Sequence, residues 1–153
     1  TYMLNRFGAF VGGITACYKY IQRIKSMEMT ELGLKGTHAM CLFHLHRHEE
    51  GLTAAQLCQL CGEDKAAISR TLSELEGKGY LHTWESTGKK YRAMLRLTPE
   101  GESVANCIDG LIEDWVSAGG NGLTQEEREE FYRILDHIAG NLKHRYEISK
   151  EEL

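Results

Sequence analysis

Apolar residues recur along most of the chain at the alternating three- and four-residue spacing of a helix, and in one place only does the period fall to two. The first segment carries Phe7, Phe10, Ile14, Cys17, Ile21 and Ile24, a spacing that suits a long helix packed on another helix. Gly8, Gly12 and Gly13 weaken it and leave open a close helix approach, a kink or a later start. A second helix is expected from near Thr37, after "LGLKG", through Met40, Cys41, Leu42 and Leu45 to about His48. In "GLTAAQLCQLCG", Thr53 and Gln56 have capping-box spacing, and Leu57, Leu60 and Cys61 form the stripe of a short helix. Gly62 and Glu63 then turn the chain into a further helix, with Asp64 as its N-cap.

That helix, "DKAAISRTLSELEGKGYL", aligns Ile68, Leu72 and Leu75 on one side and leaves Ala66, Ser69, Arg70 and Ser73 on the other. A solvated helix face is ordinarily crowded with Lys and Glu. Here short side chains surround a single arginine, so something can come close to the backbone. Two short helices joined tightly, the second with a bare outer face, form the pattern of a helix-turn-helix. The period then changes: "LHTWES" is extended, and Tyr91, Ala93, Leu95 and Leu97 alternate with Arg92, Met94 and Arg96, the two runs joined through "TGKK". The expected result is a β-hairpin with Lys89 and Lys90 near its tip. Thr98 caps and Pro99 opens the next helix, with Val104, Ile108, Leu111, Ile112 and Trp115 on one side. "SAGGNG" ends it. The last helix starts from the capping box Thr124 to Glu127 and carries Phe131, Ile134, Leu135, Ile138 and Leu142. The fold class is therefore mainly α with one small hairpin.

Composition changes this picture little, but charge adds to it. The 153 residues fit one domain or a small domain with extensions. No apolar run reaches the roughly 18 to 20 residues of a membrane span, and the N-terminal segment lacks a signal-type pattern, so a soluble, cytoplasmic protein is expected. The formal net charge is −4, which argues against a nucleic-acid partner until its distribution is considered. Residues 64–92 hold six basic and four acidic side chains, whereas residues 99–153 hold five and thirteen. The acid excess lies in the C-terminal third and leaves a mildly basic middle free to face phosphates.

The stretch "GLTAAQLCQLCGEDKAAISRTLSELEGKGYL" followed by "RAMLRLTPEG" resembles the MarR family of bacterial transcription regulators, and the resemblance extends over nearly all of the chain. It implies a winged helix-turn-helix lobe over residues 35–98, and helical dimerisation regions over 1–30 and 99–148. It further implies a homodimer whose first and last helices interlock, whose recognition helix enters the major groove of a pseudo-palindromic operator, and whose wing reaches the adjacent minor groove. Many members carry an Asp and Arg pair in the wing. This wing reads "ESTGKKYRAML", with no acidic residue directly before Arg92, so Lys89, Lys90 and Arg92 all remain candidates for the groove. The expected DNA-binding set is Lys65, Ala66, Ser69, Arg70, Ser73, Lys89, Lys90 and Arg92. Small residues permit approach to base edges while Arg70 can donate a fork of hydrogen bonds to guanine. The implied function is a transcriptional regulator, in particular a repressor released by a small aromatic or phenolic effector. Tyr18, His38 and Trp115, each an apolar body with a polar tip, are the candidates for lining the effector site.

Two other chemistries compete on the same fold. Cys17 in the first helix is a candidate oxidant sensor, although its spacing places it on the packing stripe, where a thiol without a nearby cation is inert. Cys41, His44 and His48 are spaced to contribute to a metal site, and the same spacing suits a helix end with partly exposed histidines. Cys58 and Cys61 form a C-x-x-C inside an amphipathic helix with no second pair, and both read as core residues. Five cysteines in such surroundings read as reduced thiols. No nucleophile, base and orienting group stand out together, so neither an enzyme nor a cofactor is expected.

Overall fold

The computed structural model describes residues 1–84 and 93–153. The elements are α1 (Tyr2–Glu31), α2 (Gly36–His46), α3 (Ala54–Cys61), α4 (Lys65–Gly77), β1 (Leu81–Trp84), β2 (Met94–Leu97), α5 (Pro99–Gly119) and α6 (Gln125–Glu151). They divide into two compact units, residues 1–113 and 114–153. Among the described residues, no helix is long and apolar enough to cross a membrane.

In the first unit α2 is the central element, packed against α1, α3, α4 and β2. Its Ala39, Cys41, Leu42 and Leu45 are buried, as are Leu57 of α3, Ile68, Leu72 and Leu75 of α4, and Leu81 and Leu95 of the hairpin. Each such Leu or Ile contributes about 1.5 to 3 kcal/mol when fully buried, so this cluster sets the position of α4. The hairpin strands are antiparallel with Leu81 opposite Leu97 and Trp84 opposite Met94. Leu52 adds a third, single-residue strand. Its N–H donates to Leu95 O at 3.1 Å, and the Leu95 N–H donates to Leu52 O at 2.8 Å. Gly51 makes this pairing possible, since it lies at φ +95° and a Cβ there would stand 2.9 Å from Leu95 O.

Polar contacts tie α2 to the start of α5. His46 bonds Glu102 through Nδ1 and lies 3.5 Å from Asp109 through Nε2, while Arg47 donates to Asp109 at 2.9 Å. Thr98 caps α5 as expected, its Oγ1 accepting from the Gly101 N–H at 3.1 Å and donating to Gly79 O at 2.6 Å.

The glycines of α1 do not delay its start. The helix runs unbroken over 30 residues, and among the described residues nothing approaches within 4 Å of a Cβ placed at Gly8, Gly12 or Gly13. Only Lys25 and Met29 of α1 are buried. Phe7, Phe10, Ile14, Ile21 and Ile24 stay exposed, Phe7 at 66%. In the second unit, the capping box of α6 forms between Thr124 and Glu127, and Arg128 donates to Gly120 O at 2.7 Å. No residue of α6 is buried, and Phe131, Ile134 and Leu142 of its apolar stripe are exposed.

Candidate nucleic-acid interface

The geometry of α4 starts at the turn before it. Gly62 ends α3 in the left-handed region at φ 66°, and the following N–H of Glu63 returns to Cys58 O at 3.1 Å. This closes α3 and redirects the chain within three residues. Asp64 then caps α4, its Oδ1 accepting from the Ala67 N–H at 2.7 Å. The other N–H groups of the first turn form the positive end of the helix dipole, an arrangement suited to phosphate.

One face of α4 is sealed into the core by Ile68, Thr71, Leu72 and Leu75. Lys65, Ala66, Ser69, Arg70 and Ser73 are all exposed. Around the Arg70 guanidinium this face carries the short side chains of Ala66, Ser69 and Ser73, with the Lys65 ammonium at the helix N-terminus and the exposed Glu76 near its C-terminus. Lys89, Lys90 and Arg92 lie outside the described residues.

A buried histidine sets the other end of the helix. His38 of α2 is 2% exposed; its Nδ1 accepts the Lys35 N–H at 2.9 Å and its Nε2 lies 2.8 Å from Glu74 Oε2 on α4. Since Nδ1 is an acceptor, the ring is neutral and Nε2 carries the proton donated to Glu74. Burial holds the His38 pKa below its usual value, outweighing the opposing pull of Glu74, and the His38 bond holds the Glu74 carboxyl below the usual range. His44 is likewise pushed down, first by burial and then by His48 and Arg47. A histidine whose folded pKa is depressed stabilises the fold fully above its unfolded pKa and progressively less as pH falls below it. The urea midpoint should therefore hold above about pH 6.5 and decline below it. His38→Leu should flatten that decline, and an acid profile unchanged by the substitution would remove His38 from this role.

The three candidate effector residues have different settings. Tyr18 is exposed and lines a cavity of about 520 Å³, together with Lys25, Thr37, Met40, Cys61 and Glu63. His38 is committed to Lys35 and Glu74, which leaves neither ring nitrogen free for a ligand. Trp115 is buried and belongs to the second unit.

The competing chemistries also have definite places. Cys17 is exposed, as are Ile14, Ile21 and Ile24 of the α1 stripe on which it lies. Cys58 and Cys61 are half-buried rather than core. Cys41 is fully buried, and His48 Nδ1 bonds His44 O at 2.8 Å. Among the described residues, no group of three or more His, Cys, Asp or Glu side chains is arranged to hold a metal ion.

One arrangement, the His38 to Glu74 bond, has no signal in the sequence pattern.

Comparison with known proteins is decisive for the fold. The sequence profile of the MarR family matches residues 32–89, the segment from the turn before α2 into the hairpin. The chain has the fold of MarR-family transcriptional regulators. A MarR-family transcriptional regulator from Listeria monocytogenes, solved with a 26mer DNA, superposes with a TM-score of 0.82 at 19% identity, covering 92% of this chain and 93% of that one. The MepR–DNA complex of S. aureus gives 0.74 at 16% identity, with 84% and 93% covered. MarR itself gives 0.73 at 25% identity, with 89% and 92% covered.

Proposed function

We propose that the chain is a sequence-specific double-stranded DNA-binding regulator of transcription, acting as a homodimer on a pseudo-palindromic operator. The observation that carries this reading is the exposed face of α4, where Ala66, Ser69 and Ser73 leave Arg70 free to approach base edges. Two solved structures of the same fold were obtained with DNA. In this reading α4 enters the major groove, Lys65 and the helix N-terminus meet phosphate, and the wing residues Lys89, Lys90 and Arg92 meet the flanking backbone or minor groove. Residues 35–98 form the reading lobe, and residues 1–30 and 99–148 form the dimerisation region. The uncovered apolar side chains of α1 and α6 support the second copy, since a monomer gains nothing from exposing them.

The finer proposal is repression relieved by a small aromatic or phenolic acid. The cavity beside Tyr18 supports it: the phenol ring offers an apolar wall, and the buried Lys25 ammonium offers a carboxylate partner. A ligand acts there only by binding one lobe spacing better than another.

One anisotropy series tests the whole reading. With a duplex from upstream of the gene, the expected dissociation constant is about 10⁻⁸ M or tighter, and roughly a thousandfold weaker on a scrambled duplex. Two chains should bind per duplex, and light scattering of the free protein should give twice the 17.3 kDa chain mass. Aromatic carboxylates should weaken operator binding. Equal affinity for both duplexes would refute sequence reading, a monomeric mass would refute the dimer, and indifference to a broad panel of acids would refute the effector assignment.

A further inference from the structure

The cavity of the first unit is lined by two lysines in opposite settings. Lys25 of α1 is only 8% exposed and faces a space of about 520 Å³, yet among the described residues its side-chain nitrogen makes no hydrogen bond and no ion pair. Its stem runs along Gly36, where an added Cβ would stand 3.2 Å from Lys25 Cε, so the bare backbone at residue 36 leaves room for it. Lys35 lines the same cavity, but its side chain is 71% exposed and its Nζ lies 3.5 Å from Glu74 Oε2. Water and a carboxylate thus both serve the Lys35 ammonium. Burial disfavours the charged form of an amine, and it pushes the Lys25 amine below its usual range, outweighing the opposing effects of Cys61 and Glu63. A desolvated lysine that faces a cavity is the form in which an amine attacks a carbonyl carbon. Tyr18, Ile21, Met40 and Ile68 give the cavity apolar wall, which suits a ring rather than a sugar or a second charge.

We propose that Lys25 is a covalent binding site for aromatic aldehydes, held as an imine with the ring against the apolar wall of the cavity. In the first step the Lys25 nitrogen lone pair adds to the aldehyde carbon. The C–N bond forms, the carbonyl π pair moves to oxygen, and one proton passes from nitrogen to that oxygen to give the carbinolamine. In the second step the nitrogen pair closes the C=N bond, the C–O bond breaks, and the hydroxyl leaves as water with the second nitrogen proton. One aldehyde and one amine give one imine and one water, and no oxidant or reductant is needed. The Glu63 carboxylate, which lines the same cavity and acts on the charge of Lys25, favours the protonated iminium once it has formed. A carboxylic acid in the cavity would hold Lys25 in its charged form, whereas an aldehyde consumes the neutral one, so the two kinds of ligand compete for one nitrogen. The chemistry belongs to the chain itself and stands whether or not the chain reads DNA.

The test uses the full-length protein at neutral pH, benzaldehyde at low excess, borohydride to fix the imine as a benzylamine, and peptide mapping. Trypsin does not cut after a benzylated lysine, so modification of Lys25 appears as an uncut peptide of residues 24–35. That peptide is expected to form several-fold faster than any product at Lys35 or the other lysines, and to keep forming in Cys61→Ser. Prior unfolding in urea should abolish the preference, because it depends on the cavity. Lys25→Met and Lys25→Arg, the second of which keeps the charge, should both lose the fast product. Glyceraldehyde, which is polar, should spread over the exposed lysines instead. Labelling of Lys25 no faster than that of Lys35 in the folded wild-type chain would overturn the proposal, as would a preference that survives urea. An equal preference for Lys25 with both aldehydes would overturn the aromatic class.

Discussion

Gly101→Ala is expected to destabilise the fold by about 3 kcal/mol or more, because the added methyl group meets backbone rather than side chain. A Cβ at this position would lie 1.9 Å from the Tyr80 carbonyl oxygen and 2.9 Å from its carbonyl carbon. That oxygen already accepts the Thr98 N–H at 3.0 Å, and Thr98 bonds Gly79 O and the Gly101 N–H. The first turn of α5 is therefore clamped onto the segment that links α4 to β1, and no rotamer change can make room. Relief requires moving α5 away from Tyr80, which strains every bond of that cluster and the His46 and Arg47 contacts behind it. For a chain of this length the loss corresponds to a melting temperature lower by roughly 6 to 12 °C. Gly110→Ala in the same helix is the control. Among the described residues nothing stands within 4 Å of its Cβ, and the substitution should stabilise by about 0.5 to 1 kcal/mol. Thermal melts that move both variants in the same direction would show that the clamp at Tyr80 does not govern position 101.

The contrast between α4 and α1 shows what a sequence can and cannot announce. The start and buried face of α4 are legible because their causes are local: an Asp whose side chain bonds the third N–H beyond it, a glycine in the left-handed region before it, and an apolar stripe that repeats each turn. The capping boxes at Thr53 and Thr124 are legible for the same reason. In α1 the periodicity marks the apolar face, but its fate depends on what covers it, and Phe7, Phe10, Ile14, Ile21 and Ile24 are exposed. The spacing of Cys17 accordingly implies packing, yet its side chain is exposed. The glycines of α1 carry helix cost without setting a boundary, since thirty residues of continuous hydrogen bonding absorb them. Long-range polar pairs are illegible altogether. His38 and Glu74 are 36 residues apart. Nothing in the local spelling of the pair distinguishes it from a surface histidine and a solvated glutamate.

Arg70→Ala is expected to separate sequence reading from simple attraction to DNA. The Arg70 guanidinium stands among the short side chains of Ala66, Ser69 and Ser73, and its planar fork matches guanine O6 and N7. Its removal should weaken operator binding by about 1 to 3 kcal/mol for each base edge no longer read, roughly 5- to 150-fold, with a smaller effect on scrambled DNA. The ratio between the two duplexes should therefore fall. Lys89→Ala and Lys90→Ala should behave otherwise, because a lysine on phosphate is a point charge that positions the protein without reading sequence. Both duplexes should weaken alike, and the slope of log affinity against log salt should flatten by about one for each phosphate no longer neutralised, or about two when both subunits of a dimer release one. Anisotropy of the three variants on both duplexes across a salt series distinguishes these behaviours. If Arg70→Ala weakens the two duplexes equally while a wing variant changes their ratio, helix and hairpin have exchanged roles. If none of the three alters binding, the bare face of α4 does not meet DNA, and the short side chains around Arg70 serve only to cover the core beneath them.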